Sequence, residues 1–146
     1  MSKHIQRSAL VNFSCEQMFS LVNDIEAYPE YMDGCYEAVI LDRGPDWLEA
    51  RLTLGMAGSR QSFVTRNQLS PPHAMTLDLV DGPFKKFHGQ WRFESLADAG
   101  CKVSLELDFA FNNPLLGMMA GKVFEHMAGA QVDALCRRAQ QLYRED

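Results

Sequence analysis

Residues 101–146 read CKVSLELDFAFNNPLLGMMAGKVFEHMAGAQVDALCRRAQQLYRED, and two periods meet in this stretch. Cys101, Val103, Leu105, Leu107, Phe109 and Phe111 alternate with Lys102, Ser104, Glu106, Asp108 and Ala110. That is the spacing of a strand with one apolar face. The chain then changes period. Asn113 stands as a helix N-cap and Pro114 as the first helical residue, where the missing N–H of proline costs nothing. Leu116, Ala120, Val123, Met127 and Ala130 form one apolar row, and Phe124, Ala128, Leu135, Ala139 and Leu142 its neighbour. An apolar face this wide must lie on something. Gly117, Gly121 and Gly129 interrupt the helix, each at a cost of about 1 kcal/mol relative to alanine. They read as places where another backbone or a ligand comes close.

What the helix covers is spelled out upstream. Residues 3–13 alternate Ile5, Ala9, Val11 and Phe13 with His4, Gln6, Ser8 and Asn12, the pattern of a strand. Ser14 followed by Gln17 makes a capping box, and Met18, Leu21, Val22 and Ile25 continue at helical spacing. A short second helix is predicted from Glu26 to Met32, broken by Pro29 and ended by Gly34. From Gly34 the period is two. Strands are predicted over 35–43, 47–54 and 60–69, then around Met75, Leu77 and Leu79, then with Phe87, Gly89, Trp91 and Phe93 on one face. The turns RGPD, MAGSR, SPPH, DGP and ADAG separate them.

The element order is strand, two helices, six strands, long helix. Strands joined by short turns are antiparallel, and the C-terminal helix is the element large enough to cover their apolar face. The expected fold is therefore α+β, a strongly twisted antiparallel sheet of about seven strands curled around the C-terminal helix. The whole chain, 1–146, reads as a single domain.

Composition narrows the function. A net charge of −5 argues against a general nucleic-acid binder, and no DNA partner is expected. Cys15, Cys35, Cys101 and Cys136 are far apart and have no zinc-ligand spacing, so no metal is expected and the thiols read as reduced, in a cytoplasmic protein. The start, MSKHIQRSALVNF, lacks the apolar run of a signal peptide, and no stretch of 18 apolar residues exists. Handling of lipid would fall to a soluble carrier or a protein in peripheral contact with a membrane.

Three chemistries compete. For catalysis, His4, His73, His88 and His126 fall in four different segments, and no nucleophile elbow, phosphate loop or HExxH is present. No catalytic residue is assigned. For an apolar pocket, the inward set joins Phe63, Leu77, Leu79, Phe87, Trp91, Leu105 and Leu107 from the strands to Met119, Val123, Phe124 and Met127 from the helix. A filled core is the plain reading of such a set. Three features point instead to a cavity: methionines Met75, Met118, Met119 and Met127 near the seam, glycines on the covering helix, and Gly89 between Phe87 and Trp91. Phe84, in the DGPF turn, is a candidate for the cavity mouth. For a nucleic-acid or ribosome surface, Lys85, Lys86, His88 and Arg92 follow that turn, with Arg137, Arg138 and Arg144 as a second basic group. A solvated face explains the same residues.

The segments LVNDIEAYPEYMDGC, SFVTRNQL and LVDGPFKKFHGQWRF, in this order, resemble the family of the ribosome association toxin RatA. That family overlaps the coenzyme Q-binding START-like proteins of the polyketide cyclase/dehydrase superfamily. The resemblance implies the helix-grip fold and a hydrophobic tunnel that can hold ubiquinone or a similar isoprenoid lipid, with no cofactor required. It also implies two non-enzymatic roles: support of quinone use in respiratory electron transport, or binding of the large ribosomal subunit so that it fails to join the small one. A cyclase-type enzyme is a third role known on this fold. Met32-Asp33 stand where the family often has Leu-Pro, so the first helical hairpin is expected to pack differently here.

Overall fold

The computed structural model describes residues 3–56, 58–97 and 100–143, the side chain of Met56 excepted. The chain runs β1 (Lys3–Val11), α1 (Cys15–Asn23), a 3₁₀ helix (Ile25–Glu30), β2 (Cys35–Arg43), β3 (Trp47–Met56), β4 (Ser59–Ser70), β5 (Ala74–Asp81), β6 (Phe84–Ser95), β7 (Cys101–Phe111) and α2 (Pro114–Tyr143). The strands form one antiparallel sheet in the order β1-β7-β6-β5-β4-β3-β2. This is the START-like architecture, an open seven-stranded sheet with a long C-terminal helix across its concave face.

Local chemistry places the helix ends. The Ser14 hydroxyl accepts from the Gln17 backbone N–H at 3.1 Å, and the Ser14 N–H donates to Gln17 Oε1 at 3.0 Å, the capping box expected for α1. Asn113 Oδ1 accepts from the N–H of Leu115 at 2.8 Å and of Leu116 at 3.3 Å, so α2 starts at Pro114. The second helix is shorter than predicted. Pro29 lies within it without an N–H to donate, and the segment takes the tighter 3₁₀ form, as short connectors do.

The interior has two parts. Phe63, Phe84, Phe87, Phe109, Phe111 and Phe124 interlock with ring centroids between 4.7 and 6.3 Å apart, mostly edge to face. At the other end Met18, Phe19 and Val22 of α1 pack with Trp91, Phe93, Val103 and Leu105 under Val132 and Leu135 of α2. There Cys15 Sγ lies 3.0 Å from Cys101 Sγ, both as free thiols.

α2 corrects the sequence reading. Its buried stripe takes Phe124, Ala128, Leu135 and Ala139 from the second row and Ala120 from the first, while Leu142 of the second row is 52% exposed. The rest of the first row lies at the flank, with Val123 40% exposed, and outside both rows Met118 and Met119 are 83% and 58% exposed. Met119 lies off the seam, while Met118 borders a groove between the start of α2 and Phe109 and Phe111 of β7.

Candidate functional site

Between the two packed regions lies a cavity of about 60 Å³. Its floor comes from the inner faces of β3–β7, including Leu52, Phe63, Leu77, Phe87, Trp91, Leu105 and Leu107, and its roof from Phe124, Met127, Ala128 and Gln131 of α2. Tyr28 of the 3₁₀ helix closes one side. A second chamber of about 80 Å³ adjoins it, bordered by Met32, Cys35, His126 and Arg137. Tyr28, Leu52, Leu54, Met127 and Gln131 border both chambers, so these side chains are the partition. Met127 is the flexible one. It has room because residue 34 is glycine: a Cβ there would stand 2.6 Å from Met127 Cε, and the backbone has φ +83°.

Most of the predicted pocket residues meet here. Phe63, Leu77, Phe87, Trp91, Leu105, Leu107, Phe124 and Met127 line the cavity. Leu79 is half-buried against the phenylalanine cluster without reaching the cavity wall. Phe84 is not at a mouth; it is buried in that cluster, stacked on Phe111 at 4.8 Å. Met119 and Val123 face outward and line nothing here. Two of the glycines do less than expected, while Gly117 and Gly121 border a groove at the start of α2. A Cβ on Gly89 would meet Leu107 and Leu77 side chains at 3.0 and 3.2 Å, so those leucines already occupy the space. A Cβ on Gly129 would stand 3.2 Å from Arg7 Nε, so this glycine makes room for the Arg7 guanidinium.

Alternation over 60–69 puts Thr65 and Asn67 on one face with Phe63 and Leu69, but it does not mark them as the polar groups of a cavity. Thr65 and Asn67 are buried on the inner face of β4, and Thr65 Oγ1 donates to Asn67 Oδ1 at 2.8 Å. Their signal was present: two polar residues in phase with Phe63 on an apolar face, which is the informative kind of exception. The Tyr28 hydroxyl donates to the Val22 carbonyl. Burial pushes the Tyr28 phenol well above its usual range, with Tyr31 adding to it, so it stays a neutral donor.

The outer face of the sheet has a different construction. The strand registers align His4 with Asp108, Asp108 with His88, His88 with Asp78, Asp78 with Arg66, Arg66 with Glu49 and Glu49 with Asp42. A row with one residue from each strand therefore crosses the sheet, basic and acidic side chains alternating until the last step. His4 Nδ1 is 2.6 Å from Asp108 Oδ1, His88 Nδ1 is 2.6 Å from Asp78 Oδ1, and Arg66 Nε donates to Glu49 Oε1 at 3.1 Å. Opposite charges facing across strands stabilise the pairing. The hydrogen bond from His4 holds the Asp108 carboxyl below the usual range, helped by the charges of Lys86 and His88.

This row overturns the expectation of a basic face. Lys86, His88 and Arg92 do point outward, but Asp78, Glu94, Glu106 and Asp108 stand among them. Arg92 borders a polar groove with Glu94, Lys102 and Glu106. Strand parity gives a side chain's face, whereas register gives its neighbours, and only the second decides net charge. Among the described residues, Lys85 and Lys86 remain exposed and outside any ion pair. Of the second basic group, Arg138 is paired with Glu30 at 3.0 Å and lies over the Tyr31 ring. Arg137 borders the second chamber, and Arg144 lies outside the described residues.

An apolar cavity under a long helix, floored by a curved antiparallel sheet, is the shared plan of START-like proteins. The chain belongs to the family described as polyketide cyclase / dehydrase and lipid transport, which matches residues 11–136. Within it, the chain is 43% identical over 143 residues to the ribosome association toxin RatA of Vibrio cholerae, covering 98% of this chain and 99% of that one. More distantly it is 25% identical over 139 residues to the mitochondrial coenzyme Q-binding protein coq10 of Schizosaccharomyces pombe, covering 90% and 84%. Among solved structures it superposes on the Zhui aromatase/cyclase of a Streptomyces species with a TM-score of 0.88, at 18% identity, covering 99% and 97% of the two chains. That last likeness is one of fold.

Proposed function

We propose that this protein is a non-enzymatic, ribosome-associating member of its family that acts by binding the large subunit and blocking its joining to the small one. The observation that carries this is the end-to-end similarity, 43% over 98% of the chain, to a protein named for ribosome association. Lys85 and Lys86 are the contact residues we assign, because both are exposed and neither is in an ion pair among the described residues. The test is co-sedimentation with separated ribosomal subunits and with a mixture of the two. The protein is expected in the large-subunit fraction, with fewer joined particles in the mixture. Sedimentation free of both subunits at low salt would sink the reading.

The cavity favours a second role that is compatible with the first. A largely apolar space whose partition includes the flexible Met127 suits an apolar small molecule, and a relative named for coenzyme Q binding makes ubiquinone or a similar polyprenyl lipid the ligand we propose. The chambers, about 60 and 80 Å³, fall short of the 300–1,000 Å³ typical of ligand sites even when joined, so binding requires Met127 to swing and the walls to open further. Affinity would come from burying apolar area at ~25 cal/mol per Å², less the costs of association. Gentle purification followed by solvent extraction and mass spectrometry is the test. Recovery of no lipid, together with no uptake of added quinone, would exclude it.

A further inference from the structure

We propose that the cavity's ligand carries a carbonyl oxygen and that the side-chain amide of Asn67 donates a hydrogen bond to it. The proposal rests on the reading of the cavity as a site for an apolar molecule and adds its chemical class and its anchor.

Asn67 is in the interior of β4, 3% exposed, on the face turned to α2. Its cross-strand partners are Leu48 of β3 and Leu77 of β5. An asparagine in such apolar company must find partners for two N–H donors and a carbonyl. The carbonyl has one, the Thr65 hydroxyl at 2.8 Å. The amide nitrogen has only the Met75 thioether, at 3.7 Å. Sulfur of this kind is a weak acceptor, and it engages one N–H of the two. The other N–H has no partner among the described residues, although Asn67 lines the cavity.

The neighbouring polar groups leave the same vacancy. The Thr65 hydroxyl proton goes to Asn67, and the Tyr28 hydroxyl proton goes to the Val22 carbonyl. Neither is free to donate into the cavity. Gln131 is half-buried and can be met by solvent, which leaves the Asn67 amide and the Trp91 indole N–H as the buried donors on the wall; of the two, Asn67 also stands beside the polar Thr65. A carbonyl satisfies it without bringing a proton that would need a further acceptor. Around it the walls are Phe63, Phe87, Leu105 and Phe124, which suit the flat or aliphatic remainder of a quinone, ketone or acyl group. A buried donor left unpaired penalises any ligand that lacks the acceptor, and that is the source of selectivity.

The experiment compares two probes of equal chain length by calorimetry: a 1,4-benzoquinone bearing a decyl chain, and decylbenzene, which has no carbonyl. The wild-type protein is expected to bind the quinone about tenfold more tightly than the hydrocarbon, the effect of one net hydrogen bond. Asn67→Leu, close in size, should bring the two affinities together. The infrared carbonyl band of the bound quinone should lie at lower wavenumber in the wild type than in hydrocarbon solvent. If the wild type takes both probes equally, or if Asn67→Leu keeps the preference, the assignment of Asn67 is overturned while the apolar-ligand reading stands. If neither probe binds, both fall. Should Asn67→Leu fail to fold, the wild-type infrared band decides alone: an unshifted band overturns the proposal.

Discussion

Gly34 shows how much of the site hangs on single residues. Its φ of +83° is costly for any side chain, and a Cβ would also press on Met127 Cε. The methionine end can give way, so the backbone term dominates. Gly34→Ala should therefore cost about 1–2 kcal/mol, read as a lower urea midpoint with an unchanged slope. The pair His4–Asp108 makes a second prediction. A carboxyl whose folded pKa is depressed stabilises the protein above its ordinary value, near ~4, and that contribution is lost as pH falls through the lower folded value. His4→Ala removes the donor, so the Asp108 carboxyl should titrate at higher pH, which a carboxyl-carbon NMR titration resolves. The stability gap between wild type and variant should close on acidification between about pH 5 and 2. Thr65 and Asn67 were open to a reader of the sequence as polar letters on an apolar face. Their hydrogen bonds were not, because bond geometry depends on what stands across the strands.

α2 carries the test at the scale of elements. Phe124 touches five other phenylalanines, from β4, β6 and β7. Phe124→Ala should cost about 3–5 kcal/mol, as large-to-small changes in tight cores do, and thermal melting will show it. Val123→Ala, one position away and 40% exposed, should cost well under half of that. The boundaries of α2 were readable because the Asn113 cap and Pro114 act locally. Its facing was not. Two adjacent apolar rows fit the helix equally well, and a residue one step along is rotated by about 100°. Only the position of α2 over the sheet selects a stripe that joins Ala120 of one row to Phe124 and Ala128 of the other. The same limit explains Phe84: alternation is undefined at a turn, and the register shift between Phe84 and Lys86 is what turns that ring into the cluster.

For the whole molecule, charge is the deciding quantity. The outer face alternates in sign, so ribosome binding through it would rest on few phosphate contacts. Reversal of both lysines, Lys85→Glu with Lys86→Glu, should weaken co-sedimentation by at least about tenfold, and the salt dependence should flatten by roughly one to two units of slope. Arg92→Glu should do less, since Arg92 already stands among Glu94 and Glu106. An equal loss from all three changes would mean that the net field of the face, not the two lysines, makes the contact. No helix among the described residues is long and apolar enough to cross a membrane.

The strand period, the capping box and the Asn-Pro start of α2 were determined by the sequence alone, because each follows from side chains acting within a few residues of backbone. They were sufficient for the fold: seven apolar-faced strands and one long amphipathic helix have few ways to cover each other. Tertiary structure decided the rest. The cavity between Met127 and the sheet, the pairing of Asn67 with Thr65 and the charge row from His4 to Asp42 join residues far apart in the chain. Such contacts depend on register and on where a helix rests, and neither is a property of any local stretch.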